Sequence, residues 1–544
     1  MGRYLIKKRD GLARSGTCTH GDFALELPAA LDMEGMFPSL REVRHANVPL
    51  HAERDFVERY HLRGGSPAFI HPHSCEGMES GTFVAVPNWH TALRHPRMYV
   101  DWLLHMKGTV PPDTIWYAPT SANPSNAALL IYSGFDLFDF KCVDLATSKG
   151  LFCIPDGCFP KEWMESGICT CRGCESGDLS LHNRIALVCE INLAKRMMER
   201  SQLREHLEVR CRASADQVAV MRFLDMAYSC VERYTPIARS SVLKANSGDA
   251  LNRPEVKRFA ERVIERFIAP SWNTAVLLPC SARKPYSTSQ SHRKFRGVIR
   301  RRAHELIVTS PLGLVPRELE GLYPASHYDV PVTGIWDREE LHFVSRVISR
   351  YLASHPYQRV IAHLEGGALQ AARMAAGACG IELEESCRTS PQSAESLERL
   401  EDLLDGETPM KRDHTVQGII SWQFDTRLDM DGMSIRRKGL YREVWRKGKR
   451  LFGFSRDTGL LVPTFEGWAL LGEGYRVRID DFVPKGDVFA AGVRDADERI
   501  REGDEVLVTG PLALATGRAA MCADEMRRSR HGLAVHVRKV LKYG

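Results

Sequence analysis

Between Cys280 and His292 the chain carries a cysteine, a lysine, a tyrosine, several hydroxyls and a histidine within thirteen residues. A cysteine attacks as its thiolate, and a cation or a helix N-terminus favours that form at neutral pH. Lys284 or His292 can supply the charge, and His292 can also move protons. Tyr286 and Ser289 can donate hydrogen bonds to developing negative charge. The same residue types also fit a phosphate-gripping or purely structural loop, because a cysteine followed by a histidine is a loose signal. A second cluster, Cys169, Cys171 and Cys174 with His182 eight residues on, is more specific. Three thiols spaced C-x-C-x2-C plus an imidazole are four soft ligands for tetrahedral zinc. The alternative is a cysteine-rich loop without metal. Nearby Cys153 and Cys158 either replace His182 as the fourth ligand or are simply buried.

Both clusters need elements to hold them. Before Cys280, the apolar β-branched run Thr274–Leu278 reads as a buried strand ending at Pro279. After it, Ser287 or Ser289 can cap a helix whose buried face is Phe295, Val298 and Ile299. A strand-to-helix loop is where open α/β sheets bind ligands. Further strand–loop units follow: Glu305–Thr309 into the Ser310-Pro-Leu-Gly313 loop, the loop at Trp336-Asp337, and Val360–Leu364 into Glu365-Gly-Gly. Repeated strand, loop and helix predict a small parallel sheet whose loops line one pocket, with Ser310, Gly313, Trp336 and Asp337 on its wall. Trp336 either stacks on a base or belongs to the core.

The string from Pro279 to His292 resembles the PC-x3-KPY-x2-S-x2-H signature of archaeosine synthase, the archaeal paralogue of tRNA-guanine transglycosylase; Pro279, Cys280, Lys284, Pro285, Tyr286, Ser289 and His292 match without a gap. The SPLG and TGxWD stretches are also similar to that family. The resemblance implies a tRNA substrate bearing 7-cyano-7-deazaguanine (preQ0) in its D-arm, and addition of an amine from lysine, glutamine or ammonia to the nitrile. The product is archaeosine or a lysine-amidine precursor that a second enzyme completes; a homodimer is compatible with it. On a nitrile, Cys280 would form a thioimidate, with His292 as proton donor and Lys284 as the alternative.

Upstream, Gly134–Asp139 resembles the GxDxFD stretch of the transglycosylase barrel, where Asp139 matches the nucleophile position. A full (β/α)8 barrel takes about 250 residues, more than precede this stretch, and no SGGFQ-type segment is found. Base exchange is therefore expected to be lost. Ile419–Phe424 reads as a strand, and the basic residues from Arg436 to Arg450 form a solvated face or contact phosphate. From Tyr475 on, Gly- and Asp-punctuated short strands closely resemble a PUA domain, an RNA-binding pseudo-barrel. Its Arg527, Arg528, Arg530 and Arg538 would contribute cationic surface.

The chain thus reads as a multidomain α/β protein. Residues 1–250 form an abbreviated TIM-barrel-like transglycosylase domain with a structural zinc, 271–410 a parallel α/β core catalytic domain, 414–472 a small α+β module, and 475–544 the PUA pseudo-barrel. A net charge of +6 on 544 residues permits nucleic-acid binding without demonstrating it. No apolar run reaches membrane-span length, and fifteen cysteines in a chain with so polar an N-terminus point to thiols and metal in the cytoplasm rather than disulfides. Two other readings compete: a transglycosylase inserting preQ0, favoured by Asp139, and a non-catalytic PUA tRNA-binding protein.

Overall fold

The computed structural model describes residues 3–41, 48–61, 65–87, 94–331, 334–438 and 441–543. Val332 and Thr333 of the TGxWD stretch lie outside the described residues, as do Gly439 and Leu440 of the basic cluster. The chain divides into two compact units, residues 238–474 and residues 1–237 with 475–544.

In the unit of residues 238–474, strand Thr274–Pro279 is buried from Thr274 to Leu278. Its continuous apolar run lets it take a central place, with parallel partners His304–Thr309 on one edge and Arg359–Ala362 on the other. Leu383–Glu385 adds in parallel beyond Arg359–Ala362, and Gly313–Pro316 closes the opposite edge antiparallel. In chain order the sheet is therefore 3-2-1-4-5. The chain leaves the central strand toward one edge and returns on its other side, so the carboxyl ends of Thr274–Pro279 and Arg359–Ala362 flank a topological switch point. Helix Gln290–Ile299 packs Phe295 and Ile299 onto Val276, Leu278 and Ile361, together with Leu400 of helix Ala394–Leu403.

The small module in this unit corrects one expectation. Ile419–Phe424 is not a strand but the second half of helix Thr415–Phe424, buried throughout from Val416. The alternation of apolar and polar residues from Ile420 to Phe424 suits a strand, but Ser421 and Gln423 are buried along with their neighbours. Close packing settles it: a Cβ at Gly418 would lie 2.8 Å from the Phe267 ring. An antiparallel sheet of Met433–Lys438, Tyr441–Arg446, Lys449–Phe454 and Leu461–Pro463 follows.

The other unit holds a five-stranded all-parallel sheet in the order Ala29–Ala30, Leu137–Phe138, Ile115–Ala118, Phe83–Ala85, Ala68–Phe69. Five parallel strands, not the eight of a full barrel, appear in this sheet among the described residues. Ala127–Tyr132, whose apolar run also suits a strand, is a fully buried helix. Residues 475–543 build a six-stranded sheet in the order Val488–Phe489, Leu533–Lys542, Ala513–Ala519, Glu505–Thr509, Arg476–Ile479, Val493–Ala496. This PUA sheet docks on the preceding residues of the same unit: Arg9 Nε donates to Glu525 at 2.8 Å, Arg501 to Glu232 at 2.9 Å, and Arg528 to the Val110 carbonyl at 2.7 Å. No helix among the described residues is long and apolar enough to cross a membrane.

Candidate active site and metal centre

Cys280 follows the last residue of the central strand and is partly exposed. The loop after it turns through a short 3-10 segment, Tyr286–Thr288, and the Ser289 hydroxyl caps helix Gln290–Ile299 by accepting from His292 N at 3.2 Å. Lys284 is half-buried, with its Nζ 3.9 Å from the centroid of the Tyr328 ring. The Tyr328 hydroxyl is fixed between Tyr286 at 2.8 Å and Thr309 at 2.6 Å. Burial lowers the Lys284 ammonium below the ordinary lysine range, while a Cys280 thiolate and Asp329 act the other way. Burial likewise raises the Tyr286 and Tyr328 phenols, and a charge on Cys280 adds to both shifts. Cys280, Lys284, Tyr286 and Tyr328 therefore share one electrostatic neighbourhood at the switch point. A thiolate formed there meets a nearby cation and two phenols that stay protonated.

His292 is placed differently from the expectation. Its side chain is wholly buried. Nδ1 accepts from Arg317 at 2.8 Å, and Nε2 approaches the Pro279 carbonyl without a well-formed hydrogen bond. Burial and then the Arg317 charge push its pKa down to about 3. A neutral, enclosed imidazole is no source of protons for a bound substrate, so the proton-donor assignment to His292 is corrected. Its place is in the scaffold: Arg317 also binds Glu305 at 2.6 Å and Glu320 at 2.8 Å, and Glu320 accepts the Ser287 amide at 2.9 Å. One guanidinium thus ties the Cys280 loop to the neighbouring strand.

Three residues expected on the pocket wall act in packing instead. The Ser310 hydroxyl donates to Glu340 at 2.7 Å, and Glu340 forms a capping box with Asp337 at the start of helix Arg338–Ser354. Gly313 has φ +78, and a Cβ there would fall 2.7 Å from Val347 of the same helix. Small size at Gly313 and a capping carboxylate at Asp337 give these positions structural roles of their own. Trp336 lies against Gly367, where a Cβ would come within 2.7 Å of its ring, so it covers the start of helix Gly366–Cys379 beside the switch point. Tyr328, Thr309 and Arg317 escape a sequence reading because they arrive from other strands and loops. Tyr328-Asp, opening the stretch that leads to Trp336, is the one local signal.

The four residues of the metal cluster do converge. The Sγ atoms of Cys169, Cys171 and Cys174 and a nitrogen of His182 all lie within 4.8 Å of one another. His182 Nδ1 stands 3.4 Å from Cys171 Sγ and 3.3 Å from Cys174 Sγ. Its Nε2 donates to the Cys153 carbonyl at 3.0 Å, which leaves Nδ1 unprotonated and facing the thiols. The ring stacks on Phe152 at 4.0 Å. Asn183 fastens the same hairpin, accepting from Cys153 N at 2.8 Å and donating to the Leu151 carbonyl at 2.9 Å. Gly173 allows the cysteine turn to approach, since a Cβ there would lie 2.3 Å from His182 N. This donor set and its oriented imidazole fit a tetrahedral metal ion with no free position. Cys153 and Cys158 stand outside the set.

Asp139 is buried and engaged. Tyr117 donates to its Oδ2 at 2.5 Å, Thr120 N to the same oxygen at 3.0 Å, and Lys141 N to Oδ1 at 2.9 Å. A carboxylate so fully occupied holds the first amide of the following helix and is poorly placed to attack a nucleoside.

Residues 256–404 match a domain of unknown function (DUF5591), and residues 475–541 match the PUA domain. The chain is 37% identical to the archaeosine synthase subunit alpha of Methanosarcina acetivorans, across 83% of this chain and 78% of that protein. It is 36% identical to the archaeosine synthase of Haloferax volcanii, across 82% and 80%. It is 25% identical to the tRNA-guanine(15) transglycosylase of Methanothermobacter thermautotrophicus, across 81% and 68%. With the Cys280 loop at the switch point and the PUA sheet at the C-terminus, these likenesses establish that the chain belongs to the archaeosine synthase family.

Proposed function

We propose that this tRNA-modifying enzyme of archaeosine formation acts on tRNA already carrying preQ0 and adds an amine to its nitrile carbon through a Cys280 thioimidate. A nitrile is a weak electrophile for a neutral amine, whereas a thiolate adds more readily. In the first step the Cys280 sulfur bonds to the nitrile carbon, one C–N π bond opens, and the nitrogen takes a proton from Lys284. In the second, an amine from lysine, glutamine or ammonia attacks the same carbon, the C–S bond breaks to return the thiolate, and a proton of the attacking nitrogen passes back to Lys284, leaving an amidine. The observation that carries this reading is the Lys284 ammonium seated over Tyr328 in electrostatic reach of Cys280. Burial makes that ammonium a stronger acid than a free lysine, which suits proton donation near neutral pH. Trp336, beside the switch point, is the candidate surface for the base. The PUA domain holds the tRNA, and zinc in the Cys169–Cys171–Cys174–His182 cluster is structural.

Base exchange is the weaker reading, because Asp139 is consumed by hydrogen bonds and the parallel sheet is short of a barrel. The two readings separate in one experiment. The enzyme is incubated with preQ0-bearing tRNA in the absence of any amine. A protein–RNA adduct at Cys280 is expected by mass spectrometry, released as amidine when amine is added. Cys280→Ser should lose adduct and product while keeping its tRNA affinity. Conversion by that variant at near the parental rate would rule out the covalent route.

A further inference from the structure

We infer that Cys153 and Cys158 are a thiol pair that closes reversibly to a disulfide on exposure to a small-molecule disulfide, separately from the metal cluster. Strands Leu151–Ile154 and Gly157–Pro160 form a tight antiparallel hairpin in which Cys153 and Cys158 are directly opposed. Their sulfurs stand 3.6 Å apart, both as free thiols. Directly opposed residues of an antiparallel pair have the Cα and Cβ separations that a disulfide spans without backbone movement. The two thiols differ in access: Cys158 is exposed and Cys153 is buried. Neither belongs to the cluster of Cys169, Cys171, Cys174 and His182. The hairpin is held from behind by Asn183 and by the His182 ring, so its register is set before any oxidation.

These features define an order of events. The Cys158 thiolate attacks one sulfur of a disulfide R–S–S–R, forming a mixed disulfide and expelling one thiolate RS⁻. The Cys153 thiolate, already against Cys158, then attacks the Cys158 sulfur and expels the second RS⁻. The pair is oxidised by two electrons, the reagent is reduced to two thiols, and each cysteine proton passes to a released thiolate. An excess of dithiol reverses both steps.

The test uses the full-length, metal-loaded protein. It is treated with hydroxyethyl disulfide, blocked with iodoacetamide and digested with trypsin. Lysines at 149 and 161 place both cysteines in the single peptide of residues 150–161. The expected product is this peptide without alkylation and lighter by two hydrogens, with bound metal unchanged; dithiothreitol before blocking should restore two alkyl groups. In Cys153→Ser the reaction should stop at Cys158 as a mixed disulfide, and in Cys158→Ser residue 153 should acquire no adduct. A wild-type peptide that ends as the mixed disulfide or doubly alkylated, or a bond from either cysteine to Cys169, Cys171 or Cys174, would overturn the inference.

Discussion

Lys284 and Tyr328 meet as a half-buried ammonium over an aromatic face, 3.9 Å apart. Such a contact is worth about 0.5–2 kcal/mol, more as water is excluded. If the ring positions the proton donor, Tyr328→Phe should keep most of the activity, because the ring stays and only the hydrogen bonds to Tyr286 and Thr309 are lost. Tyr328→Leu should lower turnover by roughly tenfold. The pH dependence separates positioning from general damage. Donation needs protonated Lys284, so activity falls as pH rises through its pKa. Burial depresses that pKa, so in the parent the fall begins below the ordinary lysine range. Removing the ring takes that stabilisation from the ammonium, so the fall should move to lower pH in Tyr328→Leu but not in Tyr328→Phe. Rate–pH profiles with preQ0-bearing tRNA check this; identical profiles in all three proteins would leave Tyr328 a packing residue.

At the scale of elements, what is legible in the sequence is local. Thr274–Pro279, its loop and the Ser289-capped helix are contiguous, and each has its own signal: a β-branched run, a proline, a capping hydroxyl. The apolar Ala127–Tyr132 run lacks a period and Ile419–Phe424 alternates as a strand would, yet burial on all sides, with Gln423 paired to the Leu461 backbone, lets both be helices. His292 illustrates a different limit. Its residue type suits proton transfer, yet burial and then Arg317, which sits 25 residues away on another element, hold it neutral. The metal turn is local and readable, whereas the contacts by which Gly173 and Asn183 seat it form only once the hairpin and the helix meet. Cys171→Ser with Cys174→Ser should lower bound zinc from about one per chain to near none, because two of four ligands cannot hold a closed site. The same change should lower the thermal midpoint of the unit of residues 1–237 and 475–544, since the turn, the hairpin and helix Leu179–Glu199 meet at this cluster. Metal analysis and thermal unfolding check it; stoichiometric zinc in the double variant would contradict the ligand set.

At the scale of the molecule, the PUA boundary at Tyr475 can be read from the sequence, but its docking cannot, because Arg9 and Glu525 are 516 residues apart in the chain. Their side chains are only 6% and 5% exposed, and Tyr234 donates to Asp524 at 2.8 Å in the same junction. The PUA domain is thus part of one compact unit with residues 1–237. Arg528 and Arg538 are engaged too, by the Val110 carbonyl and by Glu505, though Arg538 stays exposed and Arg528 half-buried. Cutting at Tyr475 would strip Glu525 from Arg9 and Arg501 from Glu232, and breaking one buried pair costs about 3–5 kcal/mol. A chain ending before Tyr475 should therefore lose the fold of residues 1–237, seen as rapid proteolysis there, and its loss of tRNA binding would say little about contact. Lys539 and Lys542, exposed on the final PUA strand, allow a cleaner measurement. Replacing both with Gln should leave thermal stability unchanged, weaken tRNA binding several-fold at low salt, and reduce the salt slope by roughly one per lysine that meets a phosphate. Unchanged affinity and slope at matched salt would move the RNA-binding face of the PUA sheet away from this strand.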